Sequence, residues 1–122
     1  MENAGALTTE QMKLLFAHMP VSFCLADEDG VVRFWAGAAF ANCNPELIGL
    51  DIYAGHHAGS HARIASLLTD LRSGAKDQVS TIEHHSDGTE RIIYTALRDD
   101  AGVYRGVLET VLAFDDAVST EA

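Results

Sequence analysis

Basic residues are scarce in this 122-residue chain: eight Lys and Arg stand against eighteen Asp and Glu, a formal net charge of -10 with histidine neutral. That balance argues against nucleic acid or an anionic membrane as a main partner, and it keeps a small domain in solution. Cysteine is almost absent. Cys24 and Cys43 form no Cys-x-x-Cys motif and no disulfide framework, so two free buried thiols are expected. No apolar run approaches the ~20 residues of a membrane span, and the opening MENAGALTTEQ lacks a basic region followed by an apolar one, which predicts a cytoplasmic protein. The chain also lacks a Ser-His-Asp order, a nucleophile elbow, a Gly-rich phosphate loop, internal repeats and low-complexity segments. At this length, with an ordinary 48% of hydrophobic residues, it is one domain around one core.

What is present centres on Gly49 to Gly74, GLDIYAGHHAGSHARIASLLTDLRSG, which holds His56, His57 and His61 and then an amphipathic helix. Ile64, Leu67, Leu68 and Leu71 fall at the i, i+3, i+4, i+7 spacing of one apolar face. Ser60 is the expected N-cap, Arg72 suits the last turn and Gly74 the C′ position. His61 shares the face of Ile64 and Leu68, so its ring is expected to point inward.

Upstream, Thr8 to Gln11 forms a capping box ahead of Met12, Leu15, Phe16 and Met19 at helical spacing, and Pro20 ends the pattern. This predicts a short helix over about Thr9 to Ala17. Val21, Phe23 and Leu25 then alternate with Ser22, Cys24 and Ala26, Asp29-Gly30 turns the chain, and Val31 to Trp35 returns as a second strand. Ala38 to Cys43 reads as a short helix or turn, and Asn44-Pro45-Glu46 opens a single helical turn that Gly49 stops. Downstream the period changes to two. Strands are expected over Gln78 to His85, Glu90 to Arg98 and Val103 to Phe114, with turns between them. In the last strand Tyr104, Gly106, Leu108, Thr110, Leu112 and Phe114 form the expected buried face, with Gly106 leaving room beside it. Glu109 and Arg98 are placed to pair across the final hairpin, as an exposed pair that contributes little. Hairpin connections imply antiparallel neighbours, and one sheet with the helices on one face is the simplest α+β solution.

Several of these segments resemble a PAS domain: Met19-Pro20-Val21-Ser22-Phe23, the Asp27-Glu28-Asp29-Gly30 turn, Val32-Arg33-Phe34-Trp35, Pro45-Glu46-Leu47-Ile48-Gly49, and above all Arg98-Asp99-Asp100-Ala101-Gly102-Val103-Tyr104-Arg105-Gly106-Val107-Leu108-Glu109. With Leu71-Arg72-Ser73-Gly74-Ala75-Lys76-Asp77 the likeness is closest to PAS modules found beside hemerythrin-like cation-binding domains. That subgroup carries Cys-His-Pro-Pro where this chain reads Gly55-His56-His57-Ala58, and a later family histidine falls at Ala62. The resemblance implies a five-stranded antiparallel sheet in the order 2-1-5-4-3, with helices over one face enclosing a pocket. The expected division is an N-terminal helical extension over 1–18, a PAS domain over 19–115 and an acidic tail over 116–122.

The function expected from this is a stand-alone sensory module that binds a small molecule between sheet and helices and signals to a partner protein. The N-terminal helix, with Met12, Leu15, Phe16 and Met19 on one face, is the expected homodimer contact. Packing on the protein's own sheet is the alternative. Pocket candidates are His61, His57, Ile64, Leu68, Trp35 and Phe40. His56, His57 and His61 are the candidate metal or haem-iron ligands, since neutral imidazole suits both. The plain alternative for His61 is an interior or helix-capping histidine satisfied by backbone carbonyls. His84 and His85 read as exposed strand-end residues. Flavin photochemistry is excluded, because Asn42-Cys43-Asn44-Pro45 departs from the Asn-Cys-Arg-Phe type of motif that it needs. A small enzyme using His56 or His61 as general base is a third class of reading.

Overall fold

The structure, a computed structural model, describes residues 4–40, 42–85 and 88–114. The expected acidic tail over 116–122 lies outside the described residues. Helix α1 spans Thr9–His18. Strands β1 (Ser22–Asp27) and β2 (Val32–Ala36) follow as a hairpin. Three single turns, Pro45–Leu47, Ile52–Gly55 and Ala58–Ser60, lead into helix α2 (His61–Ser73), and β3 (Gln78–His85), β4 (Gly88–Arg98) and β5 (Tyr104–Phe114) complete the chain. All neighbouring strands are antiparallel, in the order β2-β1-β5-β4-β3. The predicted fold class, strand order and N-terminal helix are all present. The Ala38–Cys43 region is held by a bridge between Phe40 and Cys43.

The β1–β2 and β4–β5 turns are built the same way from the same types of residue. In β1–β2 the Asp27 carboxylate accepts from the backbone N–H groups of Asp29 and Val31 and, at 2.7 Å, from Arg33 Nε. In β4–β5 Asp99 accepts from Ala101 and Val103 N–H and, at 2.9 Å, from Arg105 Nε. These bonds hold both carboxyls below the ordinary aspartate value of 3.8. The first cause is Arg33 for Asp27 and the Val103 N–H for Asp99. An unfolded chain therefore takes up protons before the folded one, so this stabilisation is complete above about pH 4 and is lost as the pH falls through the depressed folded values. An Asp99→Asn variant should show a flatter acid limb than wild type when unfolding is followed against pH. Parallel curves would remove Asp99 from that role.

α2 buries Ile64, Leu67, Leu68 and Leu71 against the sheet, as the spacing predicts, and each contributes about 1.5–3 kcal/mol. Gly74 closes the helix in the left-handed region, and Arg98 Nη2 donates to the Leu71 carbonyl. Ser60 stands at the N-cap position but its side chain makes no capping bond, because its backbone is already helical, continuing from the turn before it.

The last strand presents the opposite face from the one expected. Val107, Glu109 and Val111 are buried under the helices, and Leu108, Thr110 and Leu112 lie half-buried on the other side. Both faces of this sheet are apolar, since Phe16 of α1 packs edge-on against Phe23 and Phe34 of the outer face at 6.3 and 5.3 Å between ring centroids. With the sheet covered in part on both sides, the larger apolar residues do not identify the core side. No helix among the described residues is long and apolar enough to cross a membrane.

Candidate functional site

The strand register sets three side chains together on the helix-facing side. Glu109 at the centre of β5 lies opposite Cys24 of β1 and Tyr94 of β4. Glu109 is 2% exposed and Tyr94 fully buried. Over them comes the Gly55–Ser60 segment, whose approach is set by Gly55. A Cβ there would stand 2.9 Å from Leu47 Cδ1 and 3.1 Å from Asn42 Cα, so the glycine lets this turn pack closely on the Asn42 and Leu47 segments. His56 Nε2 faces Glu109 Oε1 at 3.4 Å, with the two side chains 7% and 2% exposed. Neither atom has a hydrogen-bond partner. A buried carboxylate that accepts too few bonds is a cost that natural cores rarely carry without a use. The Arg98 partner expected for Glu109 is elsewhere: Arg98 serves the end of α2 and pairs with Asp77 at 3.4 Å. The register separates the two, since Glu109 lies opposite Tyr94 and Arg98 opposite Tyr104.

Two of the groups around Glu109, Tyr94 and Cys24, are held neutral. Burial, and then the nearby Glu109 charge, push the Tyr94 hydroxyl far above its ordinary value. The hydrogen bond to Cys43, followed by burial, raises the Cys24 thiol in the same way. Cys43 is lowered, because its sulfur accepts from Cys24 and, at 3.2 Å, from Ser22 Oγ. Both thiols are free and buried, as expected.

On its other side His56 lines a cavity of about 150 Å³, together with Asn42, Gly55, His57, Ser60, Glu83 and Glu90. Of the pocket candidates, His57 is exposed at this cavity, whereas Ile64 and Leu68 are buried in the core with Trp35 and Phe40 packed half-buried against it. His61 is half-buried, as its spacing suggests, with its ring 5.2 Å from that of Tyr53 and its Nε2 shared between the carbonyls of Tyr53 and His56, at 3.1 and 3.2 Å. The three histidines therefore diverge: one ring faces a carboxylate, one the cavity mouth and one the backbone. Among the described residues no three His, Cys, Asp or Glu side chains are grouped to hold a metal ion. His84 is exposed at the strand end, its Nδ1 3.1 Å from Thr89 Oγ1.

A family model described as PAS domain matches residues 12–115. The chain belongs to the PAS family. PAS domains are sensory modules of signal transduction, typically without catalysis of their own. This PAS domain is similar to the C-terminal domain of a Streptococcus mutans protein, with 23% identity, a TM-score of 0.80, and coverage of 93% of this chain and 90% of the other. A PAS domain from Colwellia psychrerythraea aligns with 14% identity and a TM-score of 0.67 over 86% of this chain and 95% of that one. The VqmA protein of Vibrio cholerae, described as a dimer, aligns with 19% identity and a TM-score of 0.66 over 95% of this chain and 55% of its own. No curated protein sequence matches significantly.

Two members of the site in this PAS domain, Glu109 and Tyr94, were not among the residues expected from sequence. The one signal available was the position of Glu109 in the middle of an eleven-residue strand flanked by Val107 and Val111.

Proposed function

We propose that this PAS domain is a ligand-binding sensor that holds a small molecule at the Glu109–His56 site and passes the bound state to a partner as a homodimer. The observation that carries this reading is the buried pair of unsatisfied polar atoms beside a cavity, at the point where the Gly55–Ser60 segment meets the sheet. A ligand satisfying one arrangement of Gly55–Ser60 better than another shifts the population between them. The dimer is supported by α1, which has no buried residue and leaves Met12, Leu14 and Leu15 exposed beside the exposed Phe34 of the sheet.

Native mass spectrometry of freshly purified protein tests both parts. The expected result is a dimer carrying a small adduct, with Leu15→Glu reduced to monomer. Equal dimer mass in wild type and Leu15→Glu would take the contact away from α1. A Soret band lost in His61→Ala would instead make this a haem protein, with His61 drawn off its two carbonyl partners; the small-molecule reading expects no such band.

A further inference from the structure

We infer that the ligand is a small organic cation bearing N–H donors, an amine or amidinium, anchored on the Glu109 carboxylate with His56 as the group that moves to admit it. This rests on the small-molecule reading above and names the class of molecule. The reason is the chemistry of the lining. One oxygen of the buried Glu109 carboxyl, Oε1, has no donor, although the Tyr94 hydroxyl hydrogen-bonds the carboxyl, and the side chain facing that oxygen is the His56 ring, at a distance too long for a good hydrogen bond. His56 meets both: it faces Glu109 and it lines the cavity, whose lining does not include Glu109. Beyond it the cavity is lined by Asn42, Ser60, Glu90 and Glu83, the last paired with Arg63 at 3.8 Å, in a chain of net charge -10. An anion or a purely apolar guest would leave the carboxylate unsatisfied. A cation with N–H groups satisfies it with charge-assisted bonds. The cavity of about 150 Å³ has room for a compact group such as an amidinium or a short amine.

No metal grouping exists among the described residues to compete for the carboxylate, and His56 Nε2 makes no hydrogen bond that would hold the ring in place against a guest. The ring swings toward the cavity mouth when the donor arrives, which moves Gly55–Ser60 and with it the start of α2. The signal thus begins where the helix begins.

The test is isothermal titration of the full chain with acetamidinium chloride, against tetramethylammonium chloride and sodium acetate as probes. Amide shifts are recorded in parallel by nitrogen-15 NMR. Acetamidinium should bind with Kd of about 0.1–10 mM, the range open to so few heavy atoms, with shifts centred on Cys24, His56, Tyr94 and Glu109. Tetramethylammonium, a cation without N–H donors, and acetate should bind at least about tenfold more weakly, and Glu109→Gln should lose the acetamidinium heat by a similar factor. Wild-type shift mapping does not depend on how that variant folds. Equal binding of acetamidinium and tetramethylammonium, shifts away from this site, or unchanged affinity in Glu109→Gln would overturn the inference. A neutral or anionic adduct found on the native protein would overturn it too, yet leave the sensory reading standing. No adduct of any kind would instead count against that reading.

Discussion

Replacing His56 by alanine should lower the unfolding free energy by about 1–3 kcal/mol, because it takes away the side chain that faces the buried Glu109 carboxyl and leaves that polar group against a void. Glu109→Met should do the opposite. Exchanging a poorly satisfied buried carboxylate for an apolar side chain of similar shape is neutral or stabilising by about 1–4 kcal/mol, since the methionine leaves no charge to desolvate. The two variants remove opposite ends of one contact, and the asymmetry between them is the prediction. It follows from a site that gives up stability in the free protein to keep an acceptor ready for a guest. Urea unfolding followed by the fluorescence of Trp35, the single tryptophan, reads both. A loss of less than about 1 kcal/mol in His56→Ala would show that the contact contributes little, and a large loss in Glu109→Met would show that the pair is an ordinary stabilising contact.

The second large effect is expected at Gly106. Its φ is +151°, and a Cβ there would stand 2.3 Å from the Ala26 carbonyl oxygen, a backbone atom of the adjacent strand. Nothing flexible can yield. Gly106→Ala should therefore force β1 and β5 apart next to the site and destabilise by about 3 kcal/mol or more, combining overpacking with strained backbone. In a domain of this size that lowers Tm by more than about 10 °C. Thermal unfolding by circular dichroism measures it, and a shift of only a degree or two would mean that the strands part without cost. The same displacement would carry Glu109 away from His56, so a folded remnant of this variant should also bind acetamidinium poorly.

Much of the architecture was legible because local signals agreed with one another. The capping box at Thr8, the four-residue apolar face of α2, Gly74 after it, and the Asp-x-x-Gly turns with an arginine further along each fix one element, and the hairpins fix the neighbours. The strand order came from the likeness of the Arg98–Glu109 hairpin and the Pro45–Gly49 element to known relatives, since alternation alone does not rank strands. The buried face of β5 was not legible. Alternation divides Tyr104–Phe114 into two sets but does not say which one meets the helices, and Leu108 and Leu112 outweighed Val107 and Val111. Glu109 made the true inner face look like the solvent side. A carboxylate is a reliable sign of exposure except where a site needs it, and the partners that reveal the exception, His56 and Tyr94, come from distant parts of the chain. The histidines at 56, 57 and 61 are clustered in sequence only. Folding separates them, because the turns over 52–60 rotate successive side chains apart.

The central claim is that Glu109 holds the physiological ligand. The most direct measurement is to purify wild type and Glu109→Gln side by side, denature both, and identify by mass spectrometry the small molecules that each releases. A compound carrying an amine or amidinium, near one per protein chain in wild type and missing from Glu109→Gln, is the predicted result. The same compound released in equal amount from both would contradict the account.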